Sequence, residues 1–248
     1  MKIAVMNFSG NVGKSTIARH LLLPRMPGAK LLHVESINAD AGQTQALRGR
    51  QFAELQAYLQ TVDRAIVDIG ASNVEELIAR IRRYTGSQED FDTFVVPTVP
   101  SRKQQEDTIA TLAELASLGV PASRIKLVFN RVEHEADVEQ AFTPILTFLS
   151  SHPLAVANPA CKLGMNELYE RIQFEDADIA SLAKDPTDYK RLIAHARDPQ
   201  SKLALADKLA NRRLALGVIP ELDRCFATLA LNFGTVEAMN RLVPEAQT

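Results

Sequence analysis

Short apolar runs alternate with stretches in which apolar residues recur every three or four positions. The runs at 2–7, 31–34, 64–70, 94–97, 124–130 and 154–157 have the length and β-branched content of buried strands. Between them, helical spacing covers about 14–23, 49–61 (Phe52, Leu55, Tyr58, Leu59), 74–84, 101–117 and 136–150. Strand and helix in alternation predict an α/β fold, a mostly parallel sheet flanked by helices, with ligands at the carboxyl ends of the strands. From about 162 the strand signals stop. The tail reads as helix punctuated by Pro186, Pro199, Gly217, Pro220 and Gly234. Leu203, Leu205, Leu209, Leu214 and Leu216 ask for burial there, so the tail is expected to fold. The chain divides on this reading into 1–161, a nucleotide-binding unit, and 162–248, a helical extension packed on it or on a partner.

One junction carries chemistry. The strand Ile3 to Met6 enters a loop that ends in Gly13-Lys14-Ser15-Thr16, and Ile17, Ala18, Leu21, Leu22 and Leu23 continue it as a helix. Strand, glycine-containing loop, Gly-Lys-Ser and helix is the setting of a phosphate-binding loop. Gly13 lets backbone N–H groups approach phosphate oxygens, and the helix N-terminus adds partial positive charge. Lys14 supplies a full charge for β and γ phosphates, and the Ser15 hydroxyl suits Mg²⁺. The standard loop has a glycine where Phe8 stands. A deviant form, Lys-Gly-Gly-x-Gly-Lys-Ser/Thr, matches at Gly10, Gly13, Lys14 and Ser15, with Val12 at its free position. Asn11 replaces its second glycine and Ser9 its first lysine. An acid at the end of a second strand should hold Mg²⁺ through water, and Asp68 is placed for it, followed by the turn Ile69-Gly70-Ala71-Ser72.

Composition narrows the classes. The 248 residues are 46% hydrophobic with a net charge of −2 and a pI near 6.2, so no overall basic field draws nucleic acid or anionic membrane. Cys161 and Cys225 are too few for a disulfide framework and suit a reducing cytosol, with a bond between them left open. They also lack neighbours at zinc spacing. The first residues begin a strand directly, so no signal peptide is expected, and no apolar run is long enough for a membrane span. A cytoplasmic protein is the expectation. His33, inside a strand, reads as a packed side chain.

The loop, Asp68, Val95-Val96-Pro97-Thr98 before a helix, Val128-Phe129-Asn130-Arg131, and Asn158-Pro159 after the last expected strand together resemble the ParA/MinD family of ATPases over about 1–170. More narrowly, Asn7 to Leu22 resembles the StbB plasmid-stability proteins, relatives of ParA linked to plasmid partition and conjugation. The resemblance implies ATP and Mg²⁺ as ligands, a nucleotide-dependent homodimer and a plasmid-encoded protein partner. It implies that Asn130, with Arg131, meets the adenine edge and that Asn158-Pro159 closes over the base. Two departures bear on hydrolysis. Ser9 cannot supply the family's lysine that crosses the dimer. The family's Asp-x-Asp falls on Glu35-Ser36-Ile37, where Glu35 can stand for the first acid and Ile37 cannot stand for the second; Asp40 is the substitute if the loop is offset.

The function expected is therefore an ATP-binding, slowly hydrolysing switch in plasmid stability, partition or positioning. A regulator with little hydrolysis, and a small-molecule ligase or kinase on the same fold, are the alternatives. Direct DNA contact through Lys190, Arg191, Lys202, Lys208, Arg212 or Arg213 is not favoured, because the charges of the tail balance. A membrane-surface helix at 226–242 is weaker still, with Arg241 its one cation.

Overall fold

The computed structural model describes residues 1–34, 49–133, 138–172 and 178–231. Six parallel strands form one sheet in the order β2-β3-β1-β4-β5-β6. The strands are β1 (Lys2–Val5), β2 (Lys30–Val34), β3 (Ala65–Ile69), β4 (Thr93–Thr98), β5 (Ile125–Val132) and β6 (Lys162–Gly164). Parallel strands need crossovers, and helices supply them on both faces, so the inner strands read as continuous apolar runs. Every residue of β3 and β4 is buried.

The pleat divides the core in two. Ala4, Met6, Val67, Phe94, Val96, Leu127 and Phe129 face one side, covered by α2 (Gly49–Thr61), α3 (Ala71–Arg83), α4 (Arg102–Ser117), α5 (Val138–Ala141) and α6 (Thr143–Ser151). Ile3, Val5, Ile66, Val95 and Val128 face the other. There lie α1 (Lys14–Thr16), its π-helical continuation Ile17–Leu22, α7 (Leu168–Arg171), α8 (Ile179–Lys184) and the 31-residue α10 (Pro199–Leu229). The short α9 (Tyr189–His195) packs on α10.

Three expectations are corrected. Residues 154–157 do not form a strand: only Val156 bridges to Lys126, and the sixth strand is Lys162–Gly164. Pro153 and Pro159 flank that run and leave five residues between them, of which Val156 alone bonds to β5, whereas residues 161–165 join it at both ends of β6, Phe129 N to Cys161 O and Met165 N to Val132 O. The tail therefore begins inside the sheet. Its leucines are also not uniformly buried. Leu209 is 8% exposed, but Leu203 is 64% and Leu216 is 54%. The buried positions of α10 are Leu209, Ala215, Val218, Leu222, Cys225 and Leu229, a stripe at helical spacing that bypasses 203 and 216.

Candidate phosphate-binding site at the carboxyl edge of the sheet

Loop 7–13 leaves β1 at the carboxyl edge and is fixed mainly by side chains. Asn7, fully buried, donates through Nδ2 to Pro97 O and Thr108 Oγ1, both at 2.8 Å, and accepts the Ser9 N–H at 2.8 Å. Thr111 Oγ1 accepts from Phe8 N, and Gln104 Nε2 donates to Gly10 O. The strand β4 and helix α4 thus act as the mould of the loop. Asn11 and Gly13 both adopt left-handed backbone, at φ of 57° and 89°. Asparagine is the residue after glycine that tolerates this region, which explains how Asn11 can replace a glycine. Gly13 cannot be replaced so simply, because a Cβ there would lie 2.1 Å from Asn130 Nδ2.

Lys14 is buried, and its Nζ donates to Ser9 O at 2.7 Å. Burial lowers its pKa, and the nearby Asp68 carboxylate opposes that shift. Ser15 at the helix start is exposed, which leaves its hydroxyl accessible. Asp68 lies in register between Val5 of β1 and His33 of β2 and is 3% exposed. Its Oδ2 is 3.2 Å from His33 Nδ1, and its Oδ1 is buried with no partner. His33 is thus not a packed side chain: 40% of it is exposed, and its polar edge faces Asp68.

Across Gly13 and Thr16 a cleft of about 280 Å³ opens toward Asn130, Arg131 and residues 164–170. Asn130 spends one N–H on Val12 O at 2.9 Å, so it braces the loop as well as lining the cleft. Arg131 is exposed beside it, with left-handed backbone. Asn158 and Pro159 do not line this cleft. Asn158 closes its own turn, accepting from Ala160 N and Cys161 N, upstream of β6. The segment after β6, Met165-Asn166-Glu167 and Tyr169, lines the cleft instead. Sequence reasoning missed it because it placed the sixth strand at 154–157 and not at 162–164; the Cys161-Lys-Leu-Gly164 run was the available signal. A second cavity, about 430 Å³, lies on the other side of Thr16 and Tyr169, lined by Ser15, Arg19, His20, His33 and Ile172. Glu35 and Asp40, and with them Ile37, lie outside the described residues.

No family model and no curated protein matches the sequence. Solved structures do. MinD of Aquifex aeolicus, a cell division protein, is 13% identical, with 87% of this chain and 97% of that one covered and a TM-score of 0.50. The fold is that of the ParA/MinD-like P-loop NTPases. A Cyanothece McdA complex with ATP is 14% identical over 84% of this chain and 96% of that one, at a TM-score of 0.46. pNOB8 ParA bound to nonspecific DNA is 12% identical over 90% and 98%, at 0.39. At these identities the likeness is one of fold, and it rests on MinD.

Proposed function

We propose that this protein is an ATP-binding switch of the ParA/MinD type that hydrolyses ATP slowly to ADP and phosphate. Its setting is plasmid stability, partition or positioning in the cytoplasm, as for the StbB proteins that residues 7–22 resemble. The observation that carries the reading is a buried lysine at the start of α1 within electrostatic reach of a buried, half-satisfied carboxylate near the carboxyl end of β3. Both are costly to bury, and a phosphate with its counter-ion is the ligand chemistry that accounts for both.

In this reading Lys14 leaves Ser9 O for the β and γ phosphates, and Gly13 admits backbone N–H groups to them. Ser15 and Asp68 would hold Mg²⁺, Asp68 through water. The free Asp68 Oδ1 suits a hydrated divalent cation, being buried and an acceptor only. Bound there, the ion would neutralise charge on the transferring phosphoryl group. Asn130, Arg131 and residues 164–170 frame the base and ribose. Ser9 brings no cross-dimer charge, and Ile37 is no acid, so stabilisation of the transferring group is incomplete and turnover falls well below the enzyme median of about 10 per second.

The output surface is the 162–248 extension. Glu221 of α10 accepts the backbone N–H of Gly164, which lines the cleft, and Arg25 at the end of the first helix pairs with Asp223 at 2.7 Å. A nucleotide in the cleft thereby has a short path to α10. Arg212 is spent on Asp185 O, Thr187 O and the Tyr189 ring, while Lys190, Arg191, Lys202, Lys208 and Arg213 are exposed. Protein contact, with a second copy or a plasmid-encoded partner, is favoured over DNA. ATP should shift association by a coupling of roughly 1–3 kcal/mol.

The test is calorimetric binding of AMP-PNP with Mg²⁺, with phosphate release followed with and without DNA. Lys14→Ala should abolish measurable binding. Wild-type affinity in that variant sinks the P-loop reading, and binding without any phosphate release in any condition favours the non-hydrolysing regulator.

A further inference from the structure

We propose that His33 is the positioning residue for Asp68: its Nδ1–H holds Oδ2 so that Oδ1 alone is presented to the hydrated divalent cation of a bound nucleotide. The inference rests on the nucleotide reading above and adds a residue to its site.

The geometry follows from register. His33 and Asp68 are the fourth residues of β2 and β3, and these strands pair Lys30 with Ala65 onward, so the two are direct neighbours. Neighbours in parallel register put their side chains on one face of the sheet. That face is the one covered by the first helix, since Ile66, two residues before Asp68, packs in its core. The His33 Nδ1 to Asp68 Oδ2 distance is 3.2 Å. A carboxylate only accepts, so Nδ1 must carry the proton, which fixes the roles of donor and acceptor.

The remaining oxygen is the second observation. Oδ1 is buried with no partner, a state that costs free energy unless something completes it. Lys14 is close enough to act on Asp68 electrostatically, yet its Nζ is bonded to Ser9 O. Without His33, nothing described ties Oδ2, and the carboxylate is free to rotate so that Oδ1 no longer faces the cation. Groups that orient a ligating carboxylate typically change metal affinity by about 10–100-fold. With 40% of its side chain exposed, His33 contributes little packing, so its removal should act through this one bond.

AMP-PNP binding to the full-length protein separates the possibilities, measured by calorimetry in EDTA and across a Mg²⁺ titration. His33→Ala should leave affinity in EDTA unchanged and reduce the strengthening by Mg²⁺ by about tenfold or more. His33→Asn, whose amide nitrogen falls where Nδ1 was, should recover most of it. Affinity lost equally in EDTA and in Mg²⁺ would make His33 a structural residue and overturn the proposal, as would a His33→Ala titration that overlays wild type, or no rescue by His33→Asn. Wild-type protein that binds no AMP-PNP in either condition overturns the nucleotide reading and this proposal with it.

Discussion

In loop 7–13 the constraints are polar and local: Asn7 to Pro97 O and Thr108, Ser9 N to Asn7, Asn130 to Val12 O, with two residues in left-handed backbone. Helix α10, on the face of the sheet that carries the first helix, is held mainly by an apolar stripe. Val218, Leu222 and Cys225 are at most 1% exposed, while the first turns of the helix project into solvent. The difference teaches where each part can fail. A directional bond that is broken misplaces an atom of the site; an apolar contact that is removed lowers stability and leaves geometry largely intact.

The largest effect should come from the stripe. Leu222→Ala deletes a buried side chain from the core shared by α10, the first helix and β1, and should cost about 2–5 kcal/mol in urea unfolding. A loss under about 1 kcal/mol would show that α10 is an appendage and that the comparison is drawn between a core and an ornament.

Next is His20, where the two regions meet. It is buried beside Tyr169 with Nδ1 unpartnered. Burial pushes its pKa down to about 4; Arg19 adds to the shift and Asp178 opposes it. Between that value and 6.5 the unfolded chain takes up a proton that the folded chain refuses. Stability is therefore full above pH 6.5 and falls as pH drops toward 4, by up to about 3 kcal/mol. His20→Leu removes this component, so the variant should gain on wild type by up to about 3 kcal/mol as pH falls from 6.5 toward 4. Parallel curves across pH 4–7 would exclude His20 as the source.

Gly13→Ala breaks the loop instead. Left-handed backbone costs a non-glycine residue roughly 1–2 kcal/mol, and the new Cβ displaces the Asn130 amide from Val12 O. We expect that modest loss in unfolding together with more than tenfold weaker AMP-PNP binding. A variant that binds normally would mean the Asn130 brace is dispensable.

These cases also show what could be read in advance. The loop was legible because its restraints are written in the residue types themselves: Gly-Lys-Ser after a strand, and Asp68 closing another. The sheet was legible because parallel strands are apolar on both faces. β6 was not, since three residues carry no period and its pairing depends on β5, whose Phe129 and Val132 contact it across a register shift. His33 was not, because its role exists only once β2 and β3 are aligned. Nor were the two cysteines: 64 positions apart, they meet with Sγ atoms 3.6 Å apart in the core as free thiols. Tertiary partners decided each of these.

The smallest expected effect sharpens the account of α10. Leu203 lies in the first turns of the helix, 64% exposed, six residues before the first buried position of the stripe. An exposed apolar side chain in that place buries little, and surface substitutions of this kind usually stay within about 0.5 kcal/mol. Leu203→Glu should accordingly leave urea unfolding of dilute protein unchanged within that margin, and AMP-PNP affinity as well. Association is the quantity it should move. If the projecting turns of α10 meet a second copy or a partner, a charge at their apolar centre weakens that contact and leaves the fold alone. Sedimentation with AMP-PNP and Mg²⁺ at rising protein concentration reads this directly. A shift in association with unchanged unfolding places the output on these turns. Unchanged association would move it elsewhere and leave the first turns of α10 as plain solvated helix.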